Sequence, residues 1–112
     1  MTVTIKRVYE SPSPEDGQRI LVDRLWPRGL SKADAKVDVW LKDIAPSAEL
    51  RQWFGHDLAK WDEFQQRFIK ELSAKTEAVT TLRNLLKTPS TLVYGAKDEA
   101  HNNAVVIQSF IK

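Results

Sequence analysis

The chain has 112 residues, 42% of them hydrophobic and 29% charged, and no cysteine. That length buries one core without staples, and the missing thiols exclude a disulfide framework, a thiolate nucleophile and a cysteine zinc site. Seventeen basic against fifteen acidic residues leave a formal charge of +2, with no basic tail or polycationic block, which argues against a dedicated duplex-binding protein.

The apolar runs are too short to span a membrane, and the opening MTVTIKRVYE lacks a signal-peptide stretch. A cytoplasmic domain, single over 1–112, is expected. Residues 2–9 predict a strand with Val3 and Ile5 on one side and Thr4, Lys6 and Val8 on the other. Two prolines, two serines and a glycine make 10–18 a loop. RILVD at 19–23 reads as a strand buried on both faces, and Pro27 and Gly29 stop any regular element after it. Ser31 and Asp34 open a short helix over 31–36 in the manner of a capping box. In 37–44, Val37, Val39 and Leu41 alternate with Asp38, Trp40 and Lys42, which predicts a third strand.

Ser47 then caps a helix through AELRQWF, and Gly55 closes it. Asp57 caps the next helix, 58–74, where Trp61, Phe64, Phe68 and Leu72 form one apolar stripe. A second helical stretch over 76–87 carries Val79, Leu82, Leu85 and Leu86 and ends at Thr88-Pro89-Ser90. TLVYG at 91–95 predicts a buried strand, followed by a last helix from about residue 99 to 111 that buries Val106, Ile107 and Phe110. The alternation implies an α/β fold: a small, mostly parallel sheet of about four strands, covered by helices. Such sheets bind ligands beyond the carboxyl ends of their strands.

Three stretches place unusual polar residues there. Asp23, Arg24, Trp26 and Arg28 follow the RILV strand as ligand-binding candidates: guanidiniums match phosphate or carboxylate, and an indole offers a stacking face. The plainer alternative is a structural Asp23–Arg24 or Asp23–Arg28 pair, with Trp26 covering the core. His56 and Asp57 stand between two helices, as an acid–base pair or as carbonyl partner and cap. After the last strand come Lys97, His101, Asn102 and Asn103, with Asp98 the expected N-cap of a helix whose free N–H groups favour an anion. The glycine spacing of a P-loop or Rossmann motif is absent, and no cofactor is implied.

DRLWPRGLSK, VWLKDIAPSAELRQWFGHD and AKDEAHNNAVVI together resemble the YeaO-like family, bacterial proteins of unknown function. The likeness runs over nearly the whole chain, with WPRGL and WFGHD its most specific strings, and it implies an α/β fold. Broader relatives carry an Asp-x-Arg pattern after the second strand and a Cys-His-Arg triplet after the last. Residues 22–24, VDR, resemble the first; His101-Asn102-Asn103 stands in the place of the second without its cysteine or arginine.

The leading expectation is a pocket for a small anionic, nucleotide-like ligand, with Arg24, Arg28 and Lys97 supplying charge, Trp26 a stacking surface, and Asp23 and Asn102 further contacts. An enzyme in the same pocket is the alternative, with His56, Asp57 and His101 in acid–base roles, or with these and Asp98 around a divalent ion; a metal-free pocket is preferred. Nucleic-acid binding through Trp26, Trp40, Trp53, Trp61 and Arg7, Arg19, Arg24, Arg28, Arg51, Arg67 ranks lower. A module that associates through an exposed Trp40 or Trp53 is the bland reading.

Overall fold

The computed structural model describes residues 3–112; Thr2 of the predicted first strand lies outside them. Four strands, β1 (Thr4–Arg7), β2 (Gln18–Leu21), β3 (Val39–Trp40) and β4 (Ser90–Tyr94), form one wholly parallel sheet in the order β1-β4-β2-β3. Five α-helices connect and cover it: α1 (Lys32–Ala35), α2 (Ala48–Phe54), α3 (Trp61–Ala74), α4 (Thr76–Leu85) and α5 (Asn103–Ile111). No helix among the described residues is long and apolar enough to cross a membrane.

Strand alternation divides the core in two. Ile20, Val22, Leu92 and Tyr94 point to one face, where they meet Phe54, Phe64, Phe68, Leu72, Leu82 and Ile107 of the longer helices. Leu21 and Val93 point to the other and pack with Val8 and Ala35 under Trp26, Leu30, Val37 and Trp40. The larger face is thus closed by four helices, the smaller by one helical turn and the loop after β2. The caps form where the sequence places them. Ser31 Oγ accepts from Asp34 N, Ser47 Oγ from Leu50 N, and Gly55 ends α2 at φ 51°.

Two elements differ from expectation. The third strand is two residues long, because at Leu41 the chain enters a 3₁₀ turn, Lys42–Ile44. Continued alternation would have aimed Asp43 at the large core; the turn turns it outward and buries Ile44 completely. The last helix starts at Asn103 rather than near 99, and its cap is Asn102, whose Oδ1 accepts from Val105 N at 3.1 Å. Asp98 instead accepts from Ala100 N and His101 N in a separate turn, which withholds those N–H groups from a helix.

A candidate anion cleft at the carboxyl ends of the central strands

β2 and β4 are neighbours, so their carboxyl ends open side by side, and a cleft of about 580 Å³ lies beyond them. Its walls come from residues 23–28 after β2, Gly95 and Ala96 after β4, 101–103 at the start of α5, and the end of α2 with Arg51, Gln52, Phe54 and His56. Tyr9, Pro46 and Phe64 complete the lining. All three polar stretches of the sequence meet here.

Asp23 joins the walls. Its Oδ2 accepts from Gly95 N at 2.7 Å, and its Oδ1 accepts from Asn103 Nδ2 at 3.0 Å. The same Asn103 amide also donates to Val22 O at 2.7 Å, so one side-chain pair ties the ends of β2 and β4 to the first turn of α5. Gly95 suits this closeness, since a Cβ there would stand 3.2 Å from Asp23 Oδ2 and the carboxylate would have to give way by a few tenths of an ångström. Burial raises the Asp23 pKa above the ordinary aspartate value, outweighing the two hydrogen bonds and the field of Arg51, which favour the carboxylate. Asp23 pairs with neither Arg24 nor Arg28.

The arginines are differently placed. Arg24 Nε donates to Pro46 O at 3.1 Å. Arg28 is exposed and uses only its carbonyl, which accepts from Tyr9 Oη at 2.8 Å. Arg51 stands one turn before the end of α2. None of these three guanidiniums has a salt bridge among the described residues. Arg51 was missed as a site residue, although its place three residues before the apolar Phe54 was legible on a helix ended by Gly55; what hid it was the absence of any sequence cue that this helix end overhangs the strands.

His101 lines the opposite wall. Its ring stands edge-on to Trp61, centroids 5.1 Å apart, and its Nδ1 lies 2.9 Å from Asp98 Oδ2. The backbone N–H of Ala100, with the His101 ring and N–H, holds the Asp98 pKa below the ordinary range despite some desolvation. An ionised carboxylate only accepts, so Nδ1 carries the proton and Nε2 is left without an intramolecular partner. His56 adopts φ 57°, directly after Gly55 at φ 51°, a left-handed conformation that costs a non-glycine residue about 1 kcal/mol. Its ring lies 6.1 Å from that of Phe54.

Four candidates fall elsewhere or are already engaged. Lys97 is exposed and does not line the cleft. Asp57 caps the 3₁₀ turn Leu58–Lys60 through Ala59 N, rather than α3 directly, and also stays outside. Asn102 lines the cleft, but it is buried and its amide is used at both ends, by Val105 N and Asp98 O. Trp26 donates its Nε1 to Leu30 O and meets Trp40 edge to face at 5.4 Å, so its ring roofs the smaller core while bordering the cleft.

The geometry also bears on the lower-ranked readings. Among the described residues no three of His, Asp and Glu converge to hold a metal ion, so His56, Asp57, Asp98 and His101 form no common ligand set. Of the arginines considered for nucleic acid, Arg19 is buried in an ion pair with Asp16. Trp40 is half-buried with its Nε1 on Asp23 O, and Trp53 is half-buried beneath Lys60 and Arg67, so neither is the exposed interface anchor expected.

A family model described as "Inactive DUF488-N3 subclade" matches residues 2–112. The chain is 42% identical over 110 residues to the uncharacterized protein Rv3073c of Mycobacterium tuberculosis, covering 97% of this chain and 92% of that one. It is 39% identical over 113 residues to the uncharacterized protein YeaO of Escherichia coli, covering 100% and 98%. No solved structure matches significantly. The match over residues 2–112 and the full-length likeness to YeaO together place the chain in the YeaO-like family, as a member of the inactive DUF488-N3 subclade.

Proposed function

We propose that the cleft binds a small anionic ligand with a flat, nucleotide-like body and leaves it chemically unchanged. One observation carries this reading: Arg24, Arg28 and Arg51 border a single cleft without salt-bridge partners, while the one carboxylate in its lining, Asp23, is spent on Gly95 and Asn103. Unpaired guanidiniums in a concave, partly apolar site match an anion in both charge and hydrogen-bond geometry. Phe54 and Phe64 supply the flat apolar wall, their rings stacked 4.4 Å apart.

The absence of turnover rests on the lining itself. It contains no serine, threonine, cysteine or lysine, and its one hydroxyl, on Tyr9, is bonded to Arg28 O. The lining therefore offers no side-chain nucleophile for covalent catalysis, in keeping with the description of the family as inactive.

Thermal unfolding at low ionic strength, with inorganic phosphate and nucleoside monophosphates added in turn, tests the reading. A ligand at 100 times its Kd stabilises the fold by about 2.7 kcal/mol. Arg28→Ala or Arg51→Ala should weaken binding by about tenfold or more, the worth of a charge-assisted hydrogen bond. No stabilisation by any of these anions, or stabilisation indifferent to both substitutions, overturns it. Conversion of a bound nucleotide, followed by phosphorus NMR, would overturn the claim that the ligand is left unchanged.

A further inference from the structure

The polar groups of the cleft sort into those already engaged and those left open. Asp23, Asn102, Asn103, the indole N–H of Trp26 and the hydroxyl of Tyr9 have partners within the fold. Besides Arg28 and Arg51, the polar side chains that line the cleft with no hydrogen bond among the described residues are Gln52 and His56; Arg24 keeps its terminal nitrogens open while its Nε is held by Pro46 O. Both stand at the carboxyl end of α2 and both are exposed, and the His56 ring lies 6.1 Å from that of Phe54. Gln52 follows directly on Arg51, so one short helix end presents a cation and a neutral amide to the same hollow.

A site that needed only charge would have no use for a carboxamide. An amide offers one donor and one acceptor side by side, a pattern that a carboxylate or a fully ionised phosphate ester cannot answer, because these anions only accept. A nucleobase does answer it, since each presents a donor beside an acceptor, as adenine does at N6 and N7, the edge that Gln and Asn side chains read in bidentate fashion. The stacked Phe54 and Phe64 rings bound the same space on the apolar side. The strained backbone of His56 holds a second open heteroatom pair at the same rim, the kind of cost that persists where a side chain has a task.

From this division we infer that the cleft takes a nucleoside phosphate rather than a bare sugar phosphate, with Arg28 and Arg51 on the phosphate and Gln52 on the donor–acceptor edge of the base. The inference rests on the anion reading above and deepens it. His56 closes the base side of the site.

Calorimetric titrations with inorganic phosphate, ribose 5-phosphate, AMP, GMP and CMP separate the two claims. AMP should bind about tenfold or more tightly than ribose 5-phosphate, the discrimination one good bidentate contact provides. In Gln52→Ala that ratio should collapse to within about threefold, with the melting temperature of the free protein fixing whether the variant is folded. Equal affinity for AMP and ribose 5-phosphate overturns the inference while leaving the anion reading intact. GMP and CMP should share the preference over ribose 5-phosphate, and a ratio preserved in Gln52→Ala overturns the role of Gln52. Failure of every phosphate compound to bind sinks both claims together.

Discussion

The two ends of the central strands handle charge in opposite ways. At the amino-terminal end, Asp16 and Arg19 are buried and face each other at 2.7 Å, and Lys6 joins them at 3.1 Å. Neighbouring groups close around the pair: Arg19 Nε donates to Ala35 O, Ser13 N donates to Asp16 Oδ2, and the Asp16 carbonyl accepts from Thr91, whose hydroxyl meets that of Thr4. At the carboxyl-terminal end three arginines stand over a cleft without a salt bridge among the described residues, and the half-buried carboxylate there, Asp23, is bound to neutral donors. Arginine is therefore ambiguous as a signal. The same residue type closes a fold where its fork is answered and, on the reading proposed above, meets a ligand where it is not.

Cutting the closed end should produce the largest effect. Asp16→Ala leaves Arg19 buried and unanswered, and losing one partner of a buried pair costs about 3–5 kcal/mol. Urea unfolding measures this directly, and a loss below about 1 kcal/mol would mean that water replaces the carboxylate. Glycines at the two ends extend the contrast. At Gly17, φ is 63° and a Cβ would lie 2.3 Å from Pro89 O, a backbone atom with nowhere to go, so Gly17→Ala should cost about 3 kcal/mol. At Gly95 the obstacle is the Asp23 side chain at 3.2 Å, which has room to shift; Gly95→Ala should cost about 1 kcal/mol while loosening the tie to Asn103.

Asp16 and Asp23 should titrate with opposite consequences. Desolvation at Asp16 works to raise its pKa, but the bonds from Ser13, Lys6 and Arg19 prevail and lower it. Its stabilising contribution is thus complete above the unfolded value near 3.9 and is lost as pH falls through the lower folded value. Asp23, raised by burial, holds its proton longer in the folded state than in the unfolded one, so stability declines as pH climbs from about 4 toward its folded pKa. Unfolding free energies measured between about pH 3 and 6 should show Asp16→Asn flattening the acid limb and Asp23→Asn flattening the decline above it. An unchanged slope above about pH 4 in Asp23→Asn would contradict the raised pKa.

How much of this was legible depends on how local each cause is. Caps, apolar stripes and buried strands follow from neighbours in sequence, and Ser31, Ser47, Gly55 and the Phe64–Phe68–Leu72 stripe appear where their spacing puts them. The rule for parallel sheets likewise located residues 23–28, His56 and His101 at one cleft. Choices between two competing local bonds were harder. Asp98 and Asn102 are both good caps, and only the onset of the apolar face of α5 at Ala104 decides for Asn102. Arg19 reads as the polar edge of a strand until Asp16, three residues upstream, is brought beside it by the 3₁₀ turn Pro14–Asp16. Arg51 and Gln52 depend on where α2 ends in space, which periodicity does not encode.

The smallest structural effect belongs to the open end, where Arg28→Ala should change stability by no more than about 0.5 kcal/mol, since the side chain is exposed and bonds to nothing in the fold. The Tyr9 hydroxyl donates to its backbone carbonyl, which alanine keeps. A near-silent melting curve combined with about a tenfold or greater loss of phosphate affinity would separate function from folding at this position as cleanly as Asp16→Ala joins them at the other. Salt sharpens the same test: binding at exposed guanidiniums should weaken between about 0.01 and 0.1 M ionic strength as the screening length contracts from about 30 to about 10 Å, whereas the buried Asp16–Arg19 pair should be barely affected. If Arg28→Ala instead destabilises the fold by about as much as Asp16→Ala does, then both ends of the sheet are structural, and the cleft loses its claim to a ligand.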